Sequence, residues 1–194
     1  MELPQLLRCL GLSDYIAFDF ETTGLSPKDD RIIEIAAIKF VDGNPVDRFV
    51  TLINPGRTID PFITDITGIA DDMVRDKPIE SDIISEFLEF LNDLPLVAHN
   101  ISFDKSFLDA LCARFSKPKK NNPLFDTLQL SRTFLFFHPV HDLGSISEYF
   151  GLSSAGSHRA EKDTENCGII FQQLIKEAAR SEERRVGKEC RSRW

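Results

Sequence analysis

Two carboxylates sit where an apolar strand should carry none. In Tyr15-Ile16-Ala17-Phe18-Asp19-Phe20-Glu21 the two-residue period of a strand puts Tyr15, Ala17, Asp19 and Glu21 on one face and Ile16, Phe18 and Phe20 on the other. Ionised acids held together on a buried face repel, and keeping them there calls for compensating positive charge. The same anomaly recurs on two helical patterns. Asp104 heads the stripe Phe107, Leu108, Leu111 and Phe115, and Asp163 heads Cys167, Ile170, Phe171 and Leu174. An aspartate in a first helical turn is favourable to the helix dipole, which accounts for either helix alone. It does not account for four acids, from one strand and two helices, that all face the buried side of their elements. A shared divalent-cation site does, because hard oxygen ligands suit Mg²⁺ or Mn²⁺.

The elements that must position these acids read as an α/β succession. Tyr15 to Phe20, Arg31 to Phe40 and Pro45 to Asn54 are β-rich, and the turn-prone Gly24-Leu-Ser-Pro27 and Asp42-Gly-Asn44 between them predict antiparallel neighbours. Pro78 to Leu91 follows as a helix with an apolar stripe of Ile79, Ile83, Ile84, Phe87, Leu88 and Leu91. A short strand is expected over Leu94 to Ala98, a helix over Ser102 to Phe115, and a short strand at Leu124 and Phe125. Helices are then expected over Thr127 to Phe136, Leu143 to Phe150 and Arg159 to Ala179. The sum is a mixed sheet flanked by helices. The last fourteen residues, 181–194, are basic and carry no helical apolar stripe, so the domain is expected to span 1–180 and the tail to lie outside it, disordered or non-native.

Three segments, in order, resemble the motifs of the DnaQ-like, or DEDDh, 3′→5′ exonuclease family, to which the proofreading epsilon subunit of bacterial DNA polymerase III belongs. Asp19-Phe-Glu-Thr-Thr-Gly-Leu25 is similar to the first, Ala98-His-Asn-Ile-Ser-Phe-Asp104 with Phe107-Leu108 to the second, and His158-Arg-Ala-Glu-Lys-Asp163 to the third. Thr67-Gly-Ile69, Phe125-Asp-Thr-Leu128 and Leu143 to Phe150 are smaller echoes, and the resemblance runs over about residues 14–176. It implies an RNase H-like fold with a central five-stranded mixed sheet. It also implies that Asp19, Glu21, Asp104 and Asp163 hold two divalent ions and that His158 is the general base. With lower weight it places Thr22, Thr23, Gly24, Leu25, Asn100 and Phe103 against the terminal nucleotide, with Leu25 as an apolar wedge. Gly24 could equally serve its turn, and Phe103 the core. His99 reads as a buttress of the fold. Thr164-Glu-Asn166 departs from the small-residue run that often follows the family's last aspartate.

Composition limits the partners. A chain of 194 residues with 42% hydrophobic residues suits one core, and no apolar run approaches the roughly 20 residues of a membrane span. No secretory leader is evident, and the scattered Cys9, Cys112, Cys167 and Cys190 suit a reduced cytoplasmic setting, with Cys112 and Cys167 as core residues. A net charge of −8 argues against a broad electrostatic grip on duplex nucleic acid. The basic cluster Arg114, Lys117, Lys119 and Lys120 reads as a solvated loop before a phosphate contact, and His138-Pro-Val-His-Asp142 as loop or helix-cap chemistry. The favoured function is a DNA exonuclease acting on single-stranded 3′ ends in proofreading or repair, with a polymerase or helicase in cis or trans. An RNA-trimming relative and a non-catalytic nucleic-acid- or polymerase-binding module are the alternatives.

Overall fold

The computed structural model describes residues 2–152 and 160–191, with side chains as far as Glu182. The first hairpin shows how local sequence sets the sheet. Strand β1 (Asp14–Thr22) runs antiparallel to β2 (Ile32–Val41), which runs antiparallel to β3 (Asn44–Leu52). The link between β2 and β3 is the two residues Asp42 and Gly43, with φ of 50° and 87°. That left-handed pair makes the tight turn whose twist matches the flanking strands. Strands β4 (Leu96–Ala98) and β5 (Leu124–Asp126) add parallel to the other side of β1, giving the order β3-β2-β1-β4-β5. The mixed five-stranded sheet, with β1 at its centre, is the RNase H-like fold expected from the sequence.

Each face of β1 carries its own core. Ile16, Phe18 and Phe20 pack with Ile83, Ile84, Phe87 and Leu91 of α4 (Glu80–Leu91) and Phe107, Leu108 and Leu111 of α5 (Ile101–Arg114). Tyr15 and Ala17 pack on the opposite face with Cys167, Phe171 and Ile175 of α8 (Ala160–Arg191) and with Leu6 and Leu7 of α1 (Leu3–Cys9). Fully burying side chains of this size stabilises by roughly 1.5–3 kcal/mol each. Several such contributions hold β1 in place despite the two acids at its end.

Three short helices were absent from the sequence reading: α1, α2 (Pro61–Thr67) and α3 (Asp71–Val74). Helix α2 has a local signature, since Asp60 Oδ1 accepts from Phe62 N at 2.8 Å, Pro61 opens the helix, and Gly68 closes it at φ 71°. Helices α6 (Thr127–Phe134) and α7 (Leu143–Tyr149) end one or two residues before their expected bounds. Helix α8, expected to stop at Ala179, runs to Arg191, so the change to a basic composition after Arg180 does not end the helix. Ile79, assigned to the apolar stripe of α4, instead precedes that helix and is half exposed.

Candidate active site

Helix α5 meets β1 at the two acids. Its N-cap Asn100 adopts a left-handed φ of 64°, and Asp104 in its first turn is 2% exposed. Asp104 Oδ1 accepts from Phe20 N at 3.1 Å, the peptide between Asp19 and Glu21. From the other face, α8 brings Asp163 in its first turn, and small groups let it lie close. Gly168 has no room for a side chain, since a Cβ there would stand 2.4 Å from the Phe40 ring. Tyr15 Oη donates to Gly168 O at 3.0 Å and accepts from Gln172 Nε2 at 2.7 Å. Thr164, fully buried, approaches Ala36 O with its hydroxyl at 3.5 Å, so the departure at Thr164 is accommodated by an alanine on β2.

The acids feel one another. Burial, then Asp163, then Glu34 push the Asp19 carboxyl up to about 7. Burial, then Asp19, Glu34 and Asp163 push Glu21 up to about 8. Burial, followed by Asp19, raises Asp104 well above the carboxylate range, against the opposing amides of Phe20 and of Asp104 itself. The four predicted acids are therefore brought within electrostatic reach across three elements. A partly buried cluster of carboxylates, three of which resist ionising, is the donor chemistry a hard divalent cation relieves. Among the described residues, no three His, Cys, Asp or Glu side chains stand in a finished ligand arrangement. The fit to a cation rests on donor type and placement.

A fifth acid escaped the sequence reading. Glu34 is 1% exposed, lies opposite Glu21 in the β1–β2 register, and accepts from Ala160 N at 3.2 Å with Oε2. It ties β2 to the first amide of α8, just upstream of Asp163. Its signal was present, because Ile32-Ile33-Glu34-Ile35 interrupts an apolar strand with a charge as Asp19 does.

The expected substrate residues fall on two segments. Thr22 is buried and donates to Gly24 O at 2.6 Å, while Thr23, Gly24 and the 83% exposed Leu25 begin the β1–β2 loop. Asn100 and Phe103 start α5. Asn100 N donates to Asp126 Oδ1 at 3.0 Å, and Phe103 is half-buried with its ring 5.0 Å from Phe107, so Phe103 is partly a core residue. His99 Nδ1 meets Thr127 Oγ1 at 2.9 Å, in keeping with a buttress, and its burial lowers the imidazole pKa. His158 lies outside the described residues.

Lys117, Lys119 and Lys120 lie on the loop after α5, in keeping with the solvated-loop reading, while Arg114 ends the helix, and each cation has a partner within the chain. Arg114 pairs with Glu80, Lys119 with Asp109 at 2.8 Å and Lys120 with Asp93 at 3.7 Å, and Lys117 Nζ donates to Ser85 Oγ at 2.9 Å. Sequence alone does not reveal this, because each partner is remote along the chain or on another turn. Asp142 caps α7 by accepting from Ser145 N at 2.8 Å, as the loop-or-cap reading has it.

A family profile described as Exonuclease (RNase_T) matches residues 16–171. A DNA polymerase III PolC-type from Bacillus subtilis is 40% identical over 176 residues, which are 89% of this chain. The chain spans about 12% of the length of the curated relatives it matches. Exonuclease X, solved in complex with 5′ overhanging duplex DNA, superposes with a TM-score of 0.68 at 26% identity, covering 84% of this chain and 91% of that one. Escherichia coli Exonuclease I, solved in complex with a dT13 oligonucleotide, superposes with a TM-score of 0.78 at 19% identity, covering 88% and 43%.

Proposed function

The chain belongs to the DnaQ-like exonuclease family, and on that premise we propose that it releases nucleoside monophosphates one at a time from unpaired or frayed 3′ ends of DNA. The observation that carries the reading is the convergence of Asp19, Glu21, Asp104 and Asp163, each on a different turn or strand position, into one mutually repelling set. A repelled set costs stability in the folded protein, and a site is the reason to keep it.

The family is divalent-metal dependent, and in this reading the four carboxylates hold two Mg²⁺ or Mn²⁺ ions. When bound there, such ions would supply positive charge for the scissile phosphate and the leaving 3′ oxygen and would make a water more acidic. His158 accepts the proton of the attacking water, which its unperturbed pKa near about 6.5 allows at neutral pH. The phosphorus gains the water oxygen and loses the 3′ oxygen of the penultimate nucleotide, which takes up a proton. Backbone groups of Thr22, Thr23 and Gly24 meet the terminal sugar, Leu25 and Phe103 bracket its base, and Asn100 lines the same cleft. Aromatic stacking against a base is worth roughly 1–3 kcal/mol and does not depend on sequence. The net charge of −8 limits the grip on duplex.

Among the described residues, no helix is long and apolar enough to cross a membrane. A cytoplasmic setting beside a replicative polymerase, in cis or in trans, is the reading that the similarity to polymerase relatives supports. The test is a 5′-labelled single-stranded DNA and its RNA counterpart, each with Mg²⁺ and with Mn²⁺, resolved to single nucleotides. A ladder shortening from the 3′ end of DNA is expected. Nicking of a closed circle, or equal rates on blunt duplex and single strand, would contradict the assignment.

A further inference from the structure

The loop joining β1 to β2 is tied from beneath, and its ties converge on Asp30. Asp30 Oδ1 accepts from Thr23 Oγ1 at 3.2 Å, and Oδ2 accepts from Ser26 N at 2.9 Å. Thr23 Oγ1 accepts in turn from Arg31 N at 3.0 Å, and Thr23 N donates to Arg31 O at 2.8 Å. Gly24 makes room for this arrangement, since a Cβ there would stand 2.4 Å from Asp30 Oδ2. A second set of ties comes from the far end of α5. Arg114 donates to Pro27 O at 3.2 Å and Asp30 O at 3.3 Å, and pairs with Glu80. Glu80 is 6% exposed, and its Oε1 accepts from Ile32 N at 3.3 Å at the end of the loop.

These contacts grip backbone and small polar groups and leave the loop's large apolar side chain out. Leu25 stands 83% exposed on a loop otherwise stitched down at both ends and in the middle. Ordering a loop costs about 1–2 kcal/mol of conformational entropy per residue. A flexible loop would pay that when the nucleotide binds, whereas this one has paid it on folding. Helix α5 links the two halves of the cleft, because Asn100, Phe103 and Asp104 begin it and Arg114 ends it.

We infer that Asp30 and the Arg114–Glu80 pair are positioning residues for the terminal-nucleotide subsite. They hold loop 23–30 so that Leu25 stands against the last base and parts it from a paired strand. They set the preference for frayed over paired ends without touching the reacting atoms. The inference rests on the exonuclease reading above.

The test uses the whole chain with Asp30→Ala, Asp30→Asn, Arg114→Lys and Leu25→Ala, and the Asp30→Ala/Leu25→Ala double variant. Each is assayed on 5′-labelled single strand and blunt duplex of the same sequence, with Mn²⁺ affinity measured by calorimetry. Two lost hydrogen bonds to a carboxylate correspond to a rise of about tenfold or more in KM for Asp30→Ala, with kcat within about threefold. Cleavage of duplex should fall further than cleavage of single strand, and Mn²⁺ affinity should stay parental. Arg114→Lys should resemble the loss, because one ammonium does not span a carboxylate and two carbonyls as the guanidinium fork does. In the Leu25→Ala background, Asp30→Ala should add little, since both act through one contact. Asp30→Asn, close in shape, keeps the test valid if the alanine variant folds poorly. Additive effects of the two substitutions, parental KM and strand preference in both Asp30 variants, or a loss of Mn²⁺ affinity would overturn the positioning role. A parent that cleaves neither substrate would overturn the exonuclease reading, and this inference with it.

Discussion

Replacing Asp19 by asparagine should destroy the nuclease and stabilise the metal-free protein. The Asp19 carboxyl is pushed from an ordinary 3.8 up to about 7, with burial as the first cause and Asp163 and Glu34 as the next. A carboxyl whose pKa is raised on folding favours the folded state fully at acid pH, below its unfolded value. That contribution is lost as pH rises from about 4 through about 7. About three pKa units at about 1.36 kcal/mol each set a ceiling near 4 kcal/mol. The side chain is only partly buried, and Glu21 and Asp104 share the repulsion, so a gain of roughly 1–3 kcal/mol is expected for the near-isosteric Asp19→Asn. At roughly 2–4 °C per kcal/mol for a domain of this size, the thermal midpoint in EDTA at pH 8.5 should rise by roughly 2–12 °C. At pH 4.5 the two proteins should melt nearly together. Adding Mn²⁺ at pH 8.5 should raise the parent more than the variant and narrow the gap. A variant that melts at or below the parent in EDTA at pH 8.5 would refute the reasoning, because the chain's own groups would then already compensate the charge.

Other outcomes follow from the same site and fold. His158→Ala should lower turnover by roughly 10²- to 10⁴-fold, the scale of general-base loss, while calorimetry shows Mn²⁺ binding intact and the pH–rate profile loses its inflection in the imidazole range. Parental turnover in that variant would require another proton acceptor. Phe87→Ala, in the core beneath β1, should cost about 3–5 kcal/mol by denaturant unfolding, with activity per folded molecule largely kept. A chain ending at Arg180 should keep its thermal midpoint and its rate on single strand; a fall of several degrees would show that the continuation of α8 packs on the domain.

What the sequence made legible was periodicity and its violations. All five strands and the longer helices were readable because their apolar spacing is regular, and Asp19, Glu21, Asp104 and Asp163 stood out because they break that spacing. Helices α1, α2 and α3 hold four to seven residues, too few for a periodic stripe to show, so only capping chemistry such as Asp60-Pro61 could mark them. Glu34 carried the same signal as Asp19 but fell outside the recognised motifs. The Asp30 ties and the partners of Arg114, Lys117, Lys119 and Lys120 depend on which surfaces the fold brings together, and no local pattern encodes that.

The contact of Gly168 with the Phe40 ring gives this nuclease an unusual dependence. Gly168 lies five residues after Asp163 on α8, about 7.5 Å along the helix at about 1.5 Å per residue. The flat ring beneath it is the spacer that sets how near α8 comes to the sheet. Since Asp163 rides on that helix and Asp19 on that sheet, the gap between two of the four acids is gauged by an aromatic ring and a missing methyl. Both residues are buried, so the tolerance of the site to change extends into the apolar core, where a single carbon atom would move one side of the cleft away from the other.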